Sequence, residues 1–154
     1  MDAKIEIRES STTELAVMHC TGVDALDVTF GKLYKWAEKE AITNHPEFKF
    51  VRIFHDSFRN TPPNQVRMSI GVPFNNADKS DAEIEHAKIS NCKCIVGSFR
   101  IAPPDFGNAW EQLFKWMVSH NYQKANTEPF EFIYNNYQTD PEGKSTVEMY
   151  IPIL

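Results

Sequence analysis

No stretch of the 154 residues approaches the roughly 18 consecutive apolar residues that a membrane-spanning helix needs. The N-terminal MDAKIEIRES also lacks the apolar core of a secretory leader. Both absences predict a cytoplasmic protein with no membrane partner. Basic residues are in the minority, 16 Lys+Arg against 21 Asp+Glu for a net charge of -5, and no basic run could collect phosphates. Direct nucleic-acid binding is therefore not expected. Cysteine is scarce and odd in number, so no disulfide framework is expected. Cys20, Cys92 and Cys94 are read as reduced core or strand residues, with the Cys92-x-Cys94 thiols directed to opposite faces. There is no P-loop, dinucleotide-binding glycine pattern or G-x-S-x-G elbow. His19, His45, His86 and His120 show no ligand spacing with the cysteines, so neither a metal nor a cofactor is expected.

What the chain does have is aromatic side chains. Eleven Phe, five Tyr and three Trp, within 42% hydrophobic residues, describe an ordered globule. A length near ~150 residues suits one domain able to bury about two thirds of its unfolded surface.

The aromatic residues also recur. Leu33-Tyr-Lys-Trp36 returns as Leu113-Phe-Lys-Trp116, an offset of 80 residues (113 less 33). At that offset Phe30 falls on Trp110, Phe50 on Phe130, Ile53 on Ile133 and Phe54 on Tyr134. Near the end the match slips by one, setting Gly71-Val-Pro-Phe74 on Tyr150-Ile-Pro-Ile153. A long period present twice predicts a duplicated supersecondary unit rather than a solenoid. We therefore read one domain, 1–154, with repeat one about 3–75, a linker about 76–84 and repeat two about 85–154.

Each repeat reads as strand, helix, strand, strand, an α+β fold. In the first, Lys4 to Arg8 and Glu14 to His19 are extended, Asp24 is the expected N-cap of a helix reaching about Glu40, and Phe48 to His55 and Gln65 to Val72 are strands around Thr61-Pro-Pro63. In the second, Ala87 to Phe99 is extended and Pro103-Pro-Asp105 opens a helix to about Ser119. Phe130 to Tyr134 and Thr146 to Ile153 follow, separated by the turn Asp140-Pro-Glu-Gly143. Helical spacing predicts core stripes of Phe30, Leu33, Tyr34 and Ala37, and of Phe106, Ala109, Trp110, Leu113 and Met117. Trp36 and Trp116 fall on the flanks. Each either seals its own core or walls a cleft between the halves.

One residue is out of pattern. In Pro129-Phe-Glu-Phe-Ile-Tyr134, alternation puts Glu131 and Ile133 on one face and Phe130, Phe132 and Tyr134 on the other. The counterpart of Glu131 is Val51, so the repeat tolerates an apolar residue there. Glu131 either rests on a solvated face or is partly buried. A buried carboxylate awaits a cationic or hydrogen-bonding partner, or acts as an acid/base. Glu148 is expected to be solvated or a second pocket acid. His55-Asp56 is read as a strand end entering a turn, like its counterpart Asn135-Asn136.

Five segments together resemble the GyrI-like small-molecule-binding family, which includes the DNA gyrase inhibitor GyrI and the effector-binding domains of AraC-type and multidrug-responsive regulators. They are Phe30-Gly-Lys-Leu-Tyr-Lys-Trp36, Phe54-His-Asp-Ser-Phe-Arg-Asn-Thr-Pro-Pro63, Asp105-Phe106 with Trp110, Pro129-Phe-Glu-Phe-Ile-Tyr134, and Val147-Glu-Met-Tyr-Ile-Pro152. The resemblance implies two antiparallel-sheet halves related by a pseudo-twofold, with a ligand groove between them. It implies a small aromatic or cationic ligand, Glu131 at the base of the groove, and Ile133, Trp36, Trp116, Phe99 and Tyr150 as further ligand-binding residues. DNA gyrase or another protein is the candidate macromolecular partner. The alternative it implies is a hydrolase of cyclopropane-type genotoxins, with Glu131 as acid/base beside Trp36, Trp116 or Tyr150. The chain departs from the family at Arg100-Ile-Ala-Pro-Pro104, where a Gly-Pro-Tyr-like turn is usual. No helix-turn-helix segment precedes the domain, so any role in transcription is expected to run through another chain.

Overall fold

The computed structural model describes residues 3–74 and 83–154. The fold is α+β, antiparallel sheet with two helices. Contacts divide it into two compact units, one drawn from Thr12–Ser90 and the other from Asn91–Leu154 together with the N-terminal segment ending at Ser11. The expected linker, about 76–84, lies outside the described residues except for its last two.

The Asn91–Leu154 unit contains β1 (Ala3–Ser10), β6 (Cys92–Ile101), α2 (Phe106–Ser119), β7 (Phe130–Ile133) and β8 (Ser145–Pro152). Its antiparallel pairings run β1 to β6, β6 to β8 and β8 to β7. The Thr12–Ser90 unit contains β2 (Thr13–Thr21), α1 (Leu26–Lys39), β3 (Phe50–Phe54), β4 (Arg67–Pro73) and β5 (Glu85–Ile89). There β3 pairs with β4, β4 with β2 and β2 with β5. The expected single extended segment Ala87 to Phe99 is thus two strands broken at Ser90 and Asn91, and they belong to different units. β1 precedes the first repeat's helix in sequence yet pairs with β6 of the second.

Register corrects the repeat alignment. Val17 and Val51 pair with Gly71, whereas their counterparts Gly97 and Glu131 pair with Met149. Gly71 therefore corresponds to Met149 and the slip is two residues, not one. A slip of one would have turned every side chain of the last strand to the other face, and a slip of two preserves the faces. The shared Val-Pro and Ile-Pro dipeptides had suggested the wrong register.

α2 buries Ala109, Trp110, Leu113, Phe114 and Met117, with Phe106 half-buried. It lies so close to β6 that a Cβ on Gly97 would stand 2.9 Å from Leu113 Cδ1 and 2.6 Å from Phe99 Cε2. α1 is rotated relative to expectation. It buries Thr29, Leu33, Trp36 and Ala37, while Tyr34 is exposed and Phe30 half-buried. Tyr34 packs only laterally, against Phe48 and Phe50. Asp24 is not the helix N-cap either. It sits in a short 3-10 turn, Val23–Ala25, and the cap position falls to Ala25 with no side-chain hydrogen bond.

Both helices end alike, in left-handed residues eighty positions apart, Ala41 (φ 59°) and Asn121 (φ 62°). The next amides, Ile42 and Tyr122, donate back to the carbonyls of Ala37 and Met117 at 3.1 and 3.0 Å. That closure suits glycine or asparagine better than alanine. The cysteine expectation fails: residues two apart in a strand share a face, and Cys92 Sγ lies 2.9 Å from Cys94 Sγ.

Two substitutions should act in opposite directions. Ala41→Gly is expected to raise stability by up to about 1 kcal/mol, because it relieves a left-handed alanine. Gly97→Ala should lower it by about 1–3 kcal/mol by overpacking the helix against the sheet. Urea unfolding of both variants measures the two signs.

Candidate functional site

β7 starts at Phe130, two residues after the exposed Glu128, and all but its last residue are buried. Its second residue, Glu131, pairs with Met149 of β8, which pairs with Gly97 of β6. Leu113 of α2 covers Gly97, so Glu131 faces the helix. The side chain has 0% exposure, which overturns the solvated-face alternative. A carboxyl group withdrawn from water needs a donor or a proton of its own. Trp110 Nε1, on the buried side of α2, donates to Glu131 Oε2 at 3.1 Å. Val51, the counterpart in the other unit, is equally buried and wholly apolar.

The same face holds two other expected residues. Phe99 is buried, Ile133 is half-buried, and both pair with Val147. Tyr150 is on the opposite face. It pairs with Phe130 and stacks on that ring at 4.7 Å between centroids, so it cannot be the aromatic partner of Glu131. Trp116 is half-buried at the end of α2, stacked 3.9 Å from the His120 ring and parallel to Tyr122. It closes the margin of its own core. In the other unit, Trp36 is buried edge-on to Phe74, 5.1 Å between centroids. The indole that does reach Glu131, Trp110, was read only as core. The available clue was that a buried indole N–H usually finds an acceptor, and Glu131 is an acid in an otherwise apolar strand.

The opposite face of the same sheet carries a second carboxylate in very different surroundings. Glu148 Oε2 accepts from Arg8 Nη1 at 2.9 Å, and its Oε1 accepts from the Tyr134 hydroxyl and, at 3.1 Å, from the Tyr150 hydroxyl. Arg8 also donates to Tyr150 Oη at 3.2 Å and to Glu6 Oε1 at 2.5 Å. Burial pushes the Glu148 carboxyl up, but the donors Tyr134, Arg8 and Tyr150 outweigh it, and the net shift is downward. Burial and Glu148 together push both tyrosine hydroxyls up, so they stay protonated donors. Glu148 is therefore neither solvated nor in the Glu131 site. It is a half-buried ion-pair partner that fastens β1 to β8 across β6.

Among the described residues, no cluster of three or more His, Cys, Asp or Glu side chains could hold a metal ion. No described helix is long and apolar enough to cross a membrane.

The sequence matches the family model of the GyrI-like small molecule binding domain over residues 3–154. The chain belongs to the GyrI-like family. No curated protein matches it. Among solved structures, this GyrI-like domain is similar to the C-terminal domain of EcmrR (TM-score 0.77, 13% identity, 100% of this chain and 99% of that one). It is also similar to a hydrolase encoded by lin2189 from Listeria innocua (TM-score 0.69, 8% identity, 98% and 92%). A third similar structure is SAV2435 bound to tetraphenylphosphonium (TM-score 0.60, 11% identity, 98% and 94%). At these identities the likeness is one of fold.

Two measurements probe the two faces of this GyrI-like sheet. Trp110→Phe keeps the ring packing but removes the indole donor, and should cost about 1–3 kcal/mol by urea unfolding, the range for taking a hydrogen-bond donor from a buried acceptor. Glu148 has a folded-state pKa below its unfolded value, so its contribution is complete above the ordinary carboxylate range and is lost as pH falls from about 5 toward 3. Glu148→Gln should accordingly lose less stability than the parent between pH 7 and pH 3.

Proposed function

We propose that this GyrI-like domain binds a small aromatic or cationic lipophilic compound, with Glu131 as the countercharge. One observation carries the proposal: an acidic side chain with no exposed surface is placed beneath α2 where the equivalent residue of the other unit is valine. An apolar residue would serve packing equally well, and a buried acid is the group that rewards a cation with an ion pair in a low-dielectric setting. In this reading Trp110 holds Glu131 while the site is closed, and the ligand takes its place. Phe99 and Ile133, on the same face, supply apolar contact. Access requires α2 to shift, because Trp110 and Leu113 lie over this part of the sheet. The fold neighbour SAV2435 is bound to tetraphenylphosphonium, which makes lipophilic cations the first class to try.

A second reading rests on the same pair of side chains. A carboxyl group hydrogen-bonded to an indole can deliver a proton to a strained electrophile or activate water, an effect of typically ~10²- to 10⁴-fold. The fold neighbour from Listeria innocua is a hydrolase, which supports testing hydrolysis, and cyclopropane-type genotoxins, implied by the family resemblance, are the substrate class to try. In that reading Trp110 replaces Trp36, Trp116 and Tyr150 as the aromatic partner.

Titration with a panel of lipophilic cationic dyes and their neutral isosteres tests the binding proposal. Glu131→Gln should weaken the cations by tenfold or more and leave the neutral dyes unaffected. Equal cation affinity for parent and variant would sink the charge-based site. Release of a ring-opened product from a cyclopropane compound by the parent, and not by Glu131→Gln, would select the hydrolase reading instead.

A further inference from the structure

The Thr12–Ser90 unit has its own polar cluster, formed by residues that the sequence reading left as strand and turn. Ser69 of β4 pairs with His19 of β2. Its hydroxyl oxygen lies 2.9 Å from His19 Nδ1 and 2.5 Å from Nε2 of His55, which follows the end of β3. The other nitrogen of His19, Nε2, is 2.6 Å from Glu85 Oε2 on β5. Four side chains from four segments thus form one chain of hydrogen bonds: Glu85, His19, Ser69, His55.

With His19 as the neutral ring, its partners assign the protons. A carboxylate only accepts, so His19 Nε2 carries the hydrogen that it donates to Glu85. In the neutral ring Nδ1 is then the lone-pair nitrogen, and it accepts from Ser69. The Ser69 oxygen accepts in turn from His55 Nε2. This is the polarity of an activated serine: a base on its proton, a carboxylate orienting the base, and an N–H donor beside the nucleophilic oxygen. The order differs from the familiar triad only in which imidazole nitrogen faces the serine. Ser69 is 2% exposed, while the His19 and Glu85 side chains are 58% and 65% exposed, so the base side of the cluster opens to water.

We propose that Ser69, His19 and Glu85, with His55 as hydrogen-bond donor, form a nucleophilic site that hydrolyses small activated carboxylic esters. Ser69 Oγ attacks the acyl carbon as its proton passes to His19 Nδ1. As Ser69 Oγ bonds the acyl carbon, the C=O electron pair moves onto the carbonyl oxygen, and the His55 N–H, released from Oγ, donates to that oxyanion. The tetrahedral adduct expels the alcohol, which takes the proton from His19. Water then gives a proton to His19 Nδ1 and attacks the acyl-serine, releasing the carboxylic acid and returning the proton to Ser69. Glu85 is a positioning residue that holds the His19 tautomer.

The test uses the whole chain and p-nitrophenyl acetate. The parent should release p-nitrophenol and carry acetyl on Ser69, located by mass spectrometry of its peptides. Ser69→Ala should abolish that release, and His19→Gln, at an exposed position that keeps the fold, should slow it by about 10²-fold or more. Glu85→Gln should lower kcat with KM little changed, and Glu85→Asp should recover part of the loss, as expected of a residue that orients the His19 ring. Release at the parental rate by folded Ser69→Ala or by His19→Gln would overturn the proposal. Acetyl found only on lysine, cysteine or histidine would overturn it equally.

Discussion

A carboxyl group with no exposed surface has few ways to exist in a folded protein, and the arrangement of the Asn91–Leu154 unit follows from the one taken here. The indole of Trp110 donates to Glu131 from α2. A single helix turn therefore has two tasks, since Leu113 of the same stripe presses into the space that Gly97 leaves open. The hydrogen bond fixes the rotation of α2, and the glycine fixes how close it comes. Either one alone would leave the helix free to roll or to ride higher on the sheet, and both would disturb the dry layer around the acid.

The two faces of this sheet keep two carboxyl groups in contrasting conditions. Glu131 has an indole as donor and apolar neighbours in Met149, Phe99 and Ile133. Glu148 has a guanidinium and two phenols, and its charged form is the favoured one. That difference is the reason the binding proposal rests on Glu131 and not on Glu148. Glu148 already has its cation in Arg8, and a second would have to compete with an ion pair assisted by two phenol donors. In the binding proposal, a cationic ligand takes the place of the uncharged Trp110 donor at Glu131. β1 takes part in this division. By delivering Arg8 and Glu6 to the far face, it keeps that face ionised and structural.

Much of this was legible in the sequence, and the failures have physical causes. The repeat of Leu33-Tyr-Lys-Trp36 in Leu113-Phe-Lys-Trp116 revealed both helices, and alternation placed Glu131 with Ile133 on one face, because periods of 3.6 and 2 are properties of local backbone geometry. Alternation does not say which strand lies alongside. The pairing of β1 with β6 is a matter of tertiary partners, and nothing in Ala3–Ser10 encodes it locally. Tyr34 was misplaced because a wheel with aromatic residues on both flanks of Leu33 does not say which flank turns inward. In α1 it is the Trp36 side, and in α2 the Phe114 side. Trp110 was visible as a buried residue but not as a partner, since its acceptor lies 21 residues on and on a different element.

Once the register is corrected, the two repeats also show how polar groups enter a shared scaffold. Glu131 stands where the other unit has Val51, and its donor Trp110 stands where that unit has Phe30. Acid and donor are present together in one half and absent together in the other. Ser69 and His19 follow the same rule in the opposite direction. With Gly71 matched to Met149, their counterparts are Val147 and Phe99, a pair of buried apolar residues. In each case the polar residues are hydrogen-bonded to each other, and Phe99 and Val147 pair on adjacent strands where the other unit has the histidine and serine. Introducing Glu131 without Trp110, or Ser69 without its histidines, would remove hydrogen-bond partners from a buried polar group, at a cost of about 1–3 kcal/mol. Under that constraint corresponding positions differ at least cost when both members of a pair differ together, so each unit holds its own polar pair where the other is apolar.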